Sequence, residues 1–314
     1  MQIGNKKVIY KVFEYFQYKI EQVLFIKLFL FWQSMGFHLI KNNYYEPIPD
    51  TRDLCDDLWV RENELIGIDL KVSAQLKLLE VFSRKYKTEY NLIPEFKTKT
   101  PFEYYYSNGE FESTDAAILY CMIRHYKPKN IIEIGSGNSS YLMAQAILLN
   151  KKEEAGYKCT YTIIDPYPRA TIRAGFPGIT KVHEKRLQDI AFNEFNKLKI
   201  NDIIFIDSSH ILNIGSDVRH EYLDILPRLK KGVIVHFHDI YLPSEYPKVW
   251  VREKYRFWNE QYLLQAFLSF NKHFEVLWSG NYLHLKHPRK LESAFEIYKR
   301  RKRGTGSFWI RKIR

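Results

Sequence analysis

The sequence predicts an α/β fold: a doubly wound, mostly parallel sheet of seven strands with an antiparallel edge strand, preceded by a helical N-terminal region. From residue 129 onward, short apolar segments typical of buried strands alternate with helical segments, as in parallel sheets. A glycine-rich turn follows the first of these strands. Two apolar segments around Gly280-Asn281 predict a closing hairpin with an antiparallel edge.

The elements follow from periodicity and from turn residues. Apolar residues between Ile9 and Leu24 recur at helical spacing, which predicts a helix. Residues 36–60 are predicted to be irregular, because Pro47 and Pro49 force extended or turn geometry. Further helices are predicted at 74–86, 115–126, 141–149, 217–229 and 258–270, and strands at 130–134, 161–164, 179–183, 202–206, 233–238, 274–278 and 282–285. We expect three regions: a helical cap at 1–112 that mediates dimerisation or lies near a membrane, an α/β domain at 113–288, and a basic helical tail at 289–314.

The composition is that of a globular protein. Of the 314 residues, 46% are hydrophobic and 27% charged, which excludes extensive disorder and a polytopic membrane protein. The three cysteines lie far apart, as in buried thiols of a reducing compartment. A net charge of +12 favours an anionic ligand or surface without choosing among nucleic acid, lipid and glycan.

The N-terminal apolar stretch matches neither a typical signal peptide nor a membrane span. Its most apolar part, residues 23–32, contains Lys27 and is shorter than the roughly 20 residues that a span needs. Two interpretations stay open. The helix packs on the protein's own core or on a second subunit, or residues 8–33 lie in a membrane interface.

Titratable side chains follow the predicted strands. Glu133 ends the first strand, Asp165 the second, Asp207 and His210 follow the fourth, and Asp239 follows the fifth. Ligands of open α/β sheets bind at the carboxyl ends of the strands, so we expect these groups on one rim.

The turn after the first strand departs from a dinucleotide fingerprint. Glu133 stands two positions before Gly135, and the third glycine is missing. A carboxylate there would repel a pyrophosphate but suits the ammonium and cationic sulfur of a sulfonium amino acid. Asp165 is placed to accept hydrogen bonds from ribose hydroxyls. The alternative is a tight turn without a ligand.

Together, these motifs resemble a class I S-adenosylmethionine-dependent methyltransferase with a Rossmann-like fold, over residues 115–286. Segments 131–137, 205–210 and 236–240 are similar to a bacterial branch of sugar and small-molecule O-methyltransferases, whose relatives include metal-dependent enzymes of macrolide sugars and catechols. The resemblance implies a cofactor site formed by Glu133, Gly135, Gly137 and Ser139 at the methionine, Asp165 at the ribose, and Gln188 or Asp189 near the adenine, with Ser136 and Asp207 as further cofactor residues.

The same resemblance implies a divalent metal, Mg²⁺ or Mn²⁺, bound by Asp207, His238 and Asp239. A metal that holds a hydroxyl lowers its pKa and fixes its orientation. The histidine departs from an all-oxygen site and shifts the preference toward Mn²⁺, Fe²⁺ or Zn²⁺. Alternatively, the two aspartates only orient cofactor and substrate.

Two further features predict a catalytic group and a binding site for the acceptor. His210, together with Asp207, is the candidate catalytic group, because imidazole titrates near neutral pH; the alternative is a loop or capping histidine. The long connection 240–257 is predicted to be an acceptor lid, since aromatic faces stack on sugars and arginines bind carboxylate or phosphate. A packing loop is the alternative. The lid's candidate substrate residues are Tyr241, Tyr246, Trp250, Arg252 and Arg256.

The sequence therefore predicts methyl transfer to an oxygen, with a hydroxyl of a sugar, glycan, glycolipid or glycosylated metabolite as acceptor, as in polysaccharide biosynthesis. The alternatives are a nucleic-acid methyltransferase that uses the basic surface and a non-catalytic scaffold with the same fold. No nucleic-acid module is recognisable in the sequence. The presence of all the titratable residues of the rim argues against a non-catalytic scaffold. We expect a homo-oligomer in the cytoplasm, either free or peripheral at the inner face of the membrane.

Overall fold

The chain forms two compact units, Met1–Leu58 and Trp59–Arg314. The structure, a computed structural model, describes residues 2–301 and 305–314, with side chains described for 10–299 and 305–314. Lys302 and Arg303 of the predicted basic tail lie outside the described residues.

The first unit begins with helices, so a helical N-terminal region is present. Helix α1 spans Gln2–Glu21, a π-helical segment spans Gln22–Lys27, and α2 spans Phe29–Ser34. Beyond α2 the chain continues in turns and irregular segments as far as the 3-10 helix Asp56–Trp59. Within the described part of the chain, no helix is long and apolar enough to cross a membrane.

The second unit contains a sheet and the helices that cover it. The strands are β1 Asn130–Ile134, β2 Thr160–Ile164, β3 Lys181–His183, β4 Ile203–Ile206, β5 Ile234–Phe237, β6 Phe274–Ser279 and β7 Phe308–Lys312. The helices are α3 Val72–Asn91, α4 Ser113–Tyr126, α5 Asn138–Glu153, α6 Ala170–Ala174, α7 Asp217–His220, α8 Lys248–Arg252, α9 Glu260–Leu268, α10 Gly280–Lys286, α11 Pro288–Ala294 and α12 Glu296–Arg301. Short 3-10 and π segments occur at Leu187–Asp189, Phe195–Lys197, Glu221–Ile225 and Leu226–Arg228.

The seven strands form one sheet in the order β3-β2-β1-β4-β5-β7-β6, which confirms the predicted doubly wound, Rossmann-like fold. Strands β1 to β5 pair in parallel, whereas β7 runs antiparallel to both of its neighbours. In the parallel register, Ile131 lies opposite Tyr161 on one side and Ile203 on the other.

The predicted closing hairpin is wrong. Residues 280–286 form helix α10, and the partner of β6 is β7, which lies in the segment predicted as a helical tail. A short apolar run such as 282–285 does not distinguish a strand from a buried helix. In contrast, Phe308, Trp309 and Ile310 are all buried, as expected for a strand covered on both faces.

Helices cover both faces of the sheet, so its strands read as continuous apolar runs. Ile131, Ile203 and Phe205 belong to one hydrophobic cluster, and the alternate residues Ile132 and Ile204 belong to the other. Burial on both faces leaves the ends of the strands as the place for polar side chains.

Candidate active site

The sheet order reverses between β1 and β4, and two adjoining cavities open at the carboxyl ends of these strands. The first, the Asp165 cavity, has a volume of about 550 Å³. The second, the His238 cavity, has a volume of about 670 Å³. Residues of the β1 turn and of the β4 end line both cavities: Ser136, Asp207, Ser208 and Ser209.

The glycine turn brings the ends of β1 and β4 together. Gly135 has a φ of +77°, and a Cβ atom there would lie 1.8 Å from the backbone oxygen of Asp207. The Gly135 N–H donates to the Ile164 oxygen at 3.0 Å, and the Asp207 N–H donates to the Ile134 oxygen at 2.9 Å. Only glycine fits this position, because both the φ value and the close approach exclude a side chain.

Replacing Gly135 with alanine should therefore disturb the whole rim. We expect the free energy of unfolding to fall by about 2–4 kcal/mol, the sum of left-handed strain and overpacking. Denaturant titration measures this effect, with Gly156→Ala as the control for left-handed strain alone, because Gly156 has a φ of +91° and nothing within 4 Å of its Cβ position. Equal losses in the two variants would contradict the packing argument.

Glu133 lies beneath the turn and is fully buried. Its carboxylate accepts hydrogen bonds from Ser139 Oγ at 2.7 Å, from Ser140 Oγ at 2.8 Å and from the Tyr161 hydroxyl. Burial raises the pKa of Glu133 to about 8, despite the three hydrogen bonds that lower it. Glu133 was predicted at the methionine of the cofactor, but it is absent from the lining of both cavities, and its hydrogen bonds to Ser139 and Ser140 support the turn.

This raised pKa predicts how stability depends on pH. The folded protein keeps the Glu133 proton up to about pH 8, whereas the unfolded chain releases it near the ordinary glutamate pKa of 4.5. The folded state binds more protons in this window, so the free energy of unfolding should fall as pH rises from about 5 to 8. Glu133→Gln should flatten this dependence in denaturant titrations at several pH values. An unchanged slope in the variant would contradict the assignment.

The Asp165 cavity contains the two predicted adenosine-side residues. Asp165 Oδ2 accepts from the Ser136 N–H at 2.9 Å, and Oδ1 accepts from the Tyr167 N–H at 2.7 Å. Gln188 also lines this cavity, and its Nε2 donates to the Gly215 oxygen at 2.7 Å. The structure thus brings Gly135, Ser136, Asp165 and Gln188 together, while Gly137 and Ser139 line the His238 cavity.

Asp207, His238 and Asp239 converge at the His238 cavity. His238 Nδ1 lies 3.3 Å from Asp207 Oδ1 and 3.5 Å from Asp239 Oδ2, and one ligand atom from each residue falls within 4.8 Å of the others. Burial lowers the pKa of His238, but the charges of Asp239 and Asp207 outweigh it and raise the pKa to about 10. The pKa of Asp207 is held below its usual range, because His238 and His210 oppose the effect of burial.

The donor set suits a divalent metal. His238 Nδ1 is buried and has no hydrogen-bond partner among the described residues, although two carboxylates lie within 3.5 Å. Two carboxylates and an imidazole form a ligand set that Mn²⁺, Fe²⁺ and Zn²⁺ accept. Asp239 also has a φ of +55°, a strained conformation that is retained where it aims a side chain.

His210 lies at the same cavity and is 4% exposed. Its Nδ1 is 2.8 Å from Glu260 Oε2, and its Nε2 is 3.3 Å from Asp207 Oδ1 and 3.7 Å from Asp239 Oδ2. Burial alone would lower the pKa of His210, but Asp207 and Glu260 raise it well above its usual value. Its φ is +60°, so this residue too sits in the left-handed region. Carboxylates therefore contact both nitrogens of the imidazole ring.

Two buried carboxylates that support this site were missed by the sequence analysis. Glu260 begins α9 and also accepts from the Tyr222 hydroxyl at 3.2 Å. Asp115 in α4 accepts from the N–H groups of Gly306 and Ser307 at 2.9 and 3.1 Å, and its Oδ2 lies 4.0 Å from His238 Nε2. Asp115 could have been flagged as an acidic residue inside an otherwise apolar helix. Glu260 carried no local signal.

The five candidate substrate residues of the predicted acceptor lid fall into two groups, those that line the His238 cavity and those that do not. Tyr241, Trp250 and Arg256 line the His238 cavity, and the Tyr241 hydroxyl donates to Asp239 Oδ1 at 3.1 Å. Tyr246 is instead buried, with its hydroxyl accepting from the Gln261 N–H at 3.0 Å, and Arg252 stacks over Trp59 at 5.4 Å. Neither Tyr246 nor Arg252 lines the cavity.

Comparisons with known proteins agree with this geometry. A family model described as a methyltransferase domain matches residues 132–240, which hold the glycine turn, Asp207, His210, His238 and Asp239. An uncharacterized protein of Archaeoglobus fulgidus is 34% identical over 169 residues, which cover 51% of this chain and 74% of that protein.

Solved structures of methyltransferases show weaker similarity. The SAH-bound Podospora anserina methyltransferase PaMTH1 is 13% identical, with 77% of this chain and 88% of that chain covered and a TM-score of 0.36. CalS11, a TDP-rhamnose 3'-O-methyltransferase in calicheamicin biosynthesis, is 12% identical, with coverages of 80% and 99% and a TM-score of 0.41. At such scores, the fold assignment rests on the chain's own sheet order.

Proposed function

We propose that this chain, which belongs to the class I S-adenosylmethionine-dependent methyltransferases, methylates an oxygen of a sugar-like acceptor with the help of a divalent metal. One observation carries the proposal. Asp207, His238, Asp239 and His210 converge at the buried end of a polar cavity that adjoins the Asp165 cavity.

The cofactor is assigned to the junction of the two cavities. Its ribose hydroxyls would donate to Asp165, and its adenine would lie near Gln188 in the Asp165 cavity. The methionine portion would follow the turn toward Gly137 and Ser139, which line the His238 cavity. This path directs the sulfonium methyl group at the residues shared by both cavities.

The acceptor hydroxyl would lie next to His210 Nε2. The acceptor oxygen attacks the methyl carbon in line, the bond from carbon to sulfur breaks, and S-adenosylhomocysteine leaves. The hydroxyl proton passes to Nε2 of the neutral form of His210, while Glu260 accepts the hydrogen bond from Nδ1. The neighbouring carboxylates raise the pKa of His210, so this step requires that their charge be offset. A divalent metal bound by Asp207, His238 and Asp239 would lower the pKa of the hydroxyl and neutralise the carboxylates beside His210.

The cavity wall favours a sugar as the acceptor. Trp250, Trp258 and Tyr241 line the cavity together with many polar groups, and aromatic faces stack on sugar rings. The ring centres of Trp250 and Trp258 lie 5.1 Å apart and their planes are nearly perpendicular, so they form a corner rather than a flat surface. The Arg256 guanidinium lies over both rings at this corner, so an acceptor would meet the guanidinium beside the indoles.

An acceptor screen tests this function. The protein is incubated with S-adenosylmethionine, Mn²⁺ and separate pools of neutral sugars, sugar nucleotides, glycolipids and RNA, and S-adenosylhomocysteine is quantified by mass spectrometry. We expect turnover that depends on a sugar-containing pool and yields a base-stable methyl ether. Turnover with RNA alone, or no turnover with any sugar pool, would contradict the proposal.

A further inference from the structure

The His238 cavity has opposite charges at its two ends. The carboxylates of Asp207, Asp239 and Asp115 lie at the buried end, whereas the exposed part of the lining carries the basic residues Arg169, Lys254 and Arg256. Two carboxylates also line this part, the exposed Glu110, which is paired with Arg169, and the half-buried Glu112. An acceptor that fits this gradient presents hydroxyl groups to the buried end and a negative charge to the exposed end.

Arg256 contacts two indole rings. Its guanidinium carbon lies 5.4 Å from the ring centre of Trp250 and 5.2 Å from that of Trp258, and its backbone N–H donates to the Trp250 oxygen. The side chain is exposed, and contact with the indole rings leaves its N–H groups available to a ligand.

The basic groups at this end differ in their partners. Arg169 is paired with Glu110. Within residues 2–301 and 305–314, neither Lys254 nor Arg256 has a carboxylate within ion-pair distance, and no side-chain hydrogen bond is formed by the Arg256 guanidinium. Lys254 and Arg256 therefore face the cavity beside the aromatic corner without an anionic partner from the described part of the chain.

We infer that the acceptor is an anionic sugar, whose phosphate or carboxylate group is bound by Arg256 and Lys254. This inference rests on the proposed function for the position of the acceptor, and it goes further by naming the charge of the acceptor and the residues that bind it. A planar guanidinium binds phosphate or carboxylate oxygens in pairs, and the neighbouring ammonium adds a second positive charge.

Calorimetry on the full chain tests this binding site. Pyrophosphate and glucuronate are titrated separately into the protein saturated with S-adenosylhomocysteine, so that the two anion sources are distinguished. We expect binding of at least one probe, and Arg256→Gln and Lys254→Gln should each weaken it by roughly 10-fold or more, the cost of one charged hydrogen bond.

Arg252→Gln is the matched control, because it removes the same charge four residues away while Arg252 stacks over Trp59 outside the cavity. Equal weakening by Arg252→Gln and Arg256→Gln, or no binding of either probe to the wild type, would overturn the inference. S-adenosylhomocysteine binding is measured in the same proteins. If no protein binds S-adenosylhomocysteine, the proposed function is refuted. The anion titrations can then be run without S-adenosylhomocysteine, and they would still decide this inference.

A second surface is independent of the active site. In the N-terminal unit, large apolar side chains along α1 are exposed, with Phe13 66%, Phe16 60% and Ile20 57% exposed. They lie at helical spacing on one face of the helix, and exposed lysines at 11, 19 and 27 accompany them. Residues 10–41 contain four lysines and two glutamates, and one of these glutamates, Glu21, is already paired with Lys41.

We propose that this aromatic and basic surface, residues 10–31, binds an anionic lipid membrane. Aromatic side chains favour the boundary between acyl chains and headgroups, and lysines favour anionic headgroups. A second copy of this helix would bring lysines against lysines, so the charge favours lipid over self-association.

Vesicle sedimentation tests the surface. The full chain should pellet with equimolar phosphatidylcholine and phosphatidylglycerol but far less with phosphatidylcholine alone, and Phe13→Glu with Phe16→Glu should abolish pelleting. Leu92→Glu, at an 82% exposed position in the other unit, is the control and should not change it. The proposal would be overturned if the chain failed to pellet or pelleted equally with both lipids. It would also be overturned if light scattering showed a dimer that only the double variant dissociates.

Discussion

Replacing His210 with alanine is expected to lower kcat by roughly 10²–10⁴, the usual contribution of a general base. His210 Nε2 faces Asp207 and Asp239, while Nδ1 is fixed by Glu260 at 2.8 Å. Alanine removes the proton acceptor without touching the Asp165 cavity. The affinity for S-adenosylhomocysteine should therefore stay within about twofold of the wild type, a free-energy change well below 1 kcal/mol.

His220→Ala provides the matched control for this experiment. His220 also pairs through Nδ1 with a carboxylate, Asp224 at 2.9 Å, but it lines neither of the two cavities. Steady-state kinetics on the acceptor found in the screen should show a large loss for His210→Ala and little change for His220→Ala. Full activity of His210→Ala would remove the catalytic role of this residue.

Removal of the proposed metal is expected to have the second large effect. Asp207, His238 and Asp239 place three donors within 4.8 Å of one another, and His238 Nδ1 has no other partner among the described residues. Chelation should lower turnover by more than roughly 100-fold, since a metal supplies several kcal/mol of transition-state stabilisation. Mn²⁺ should restore activity better than Mg²⁺, because the site contains an imidazole.

Asp239→Asn tests the same site without relying on turnover. The amide keeps the shape of the side chain but removes a charge, so Mn²⁺ affinity measured by paramagnetic resonance should fall by at least roughly 10-fold. Asp224→Asn is the control, because Asp224 pairs with Arg219 and His220 instead. An enzyme that is insensitive to chelators and a protein that binds no Mn²⁺ would together refute the metal assignment.

The sequence predicted the sheet and most of the rim because both depend on local patterns. Each parallel strand is a short buried run, and the rule that ligands meet at strand ends brings Asp165, Asp207 and Asp239 to one edge. The structure places Asp207, His238, Asp239 and His210 within 4 Å of at least one other member of this set. No knowledge of side-chain packing was needed for that prediction.

The features of the fold and the site that the sequence did not predict depend on contacts between distant segments. β7 pairs with β5 across more than 70 residues, and nothing in the tail's basic composition reveals this pairing. Glu260 reaches His210 from 50 residues away. Arg252 and Arg256 look equivalent in sequence, yet only Arg256 turns between Trp250 and Trp258. Local periodicity carries no information about such pairings.

Calorimetric titration of S-adenosylhomocysteine tests the central claim, cofactor binding at the junction of the two cavities, most directly. The wild type should bind with micromolar affinity, and Asp165→Ala should weaken binding by at least roughly 10-fold through loss of the ribose contact. Glu184→Ala, which removes a carboxylate paired with Arg173 outside both cavities, should bind like the wild type. No binding to the wild type, with or without Mn²⁺, would contradict the assignment of this rim as a methyltransferase site.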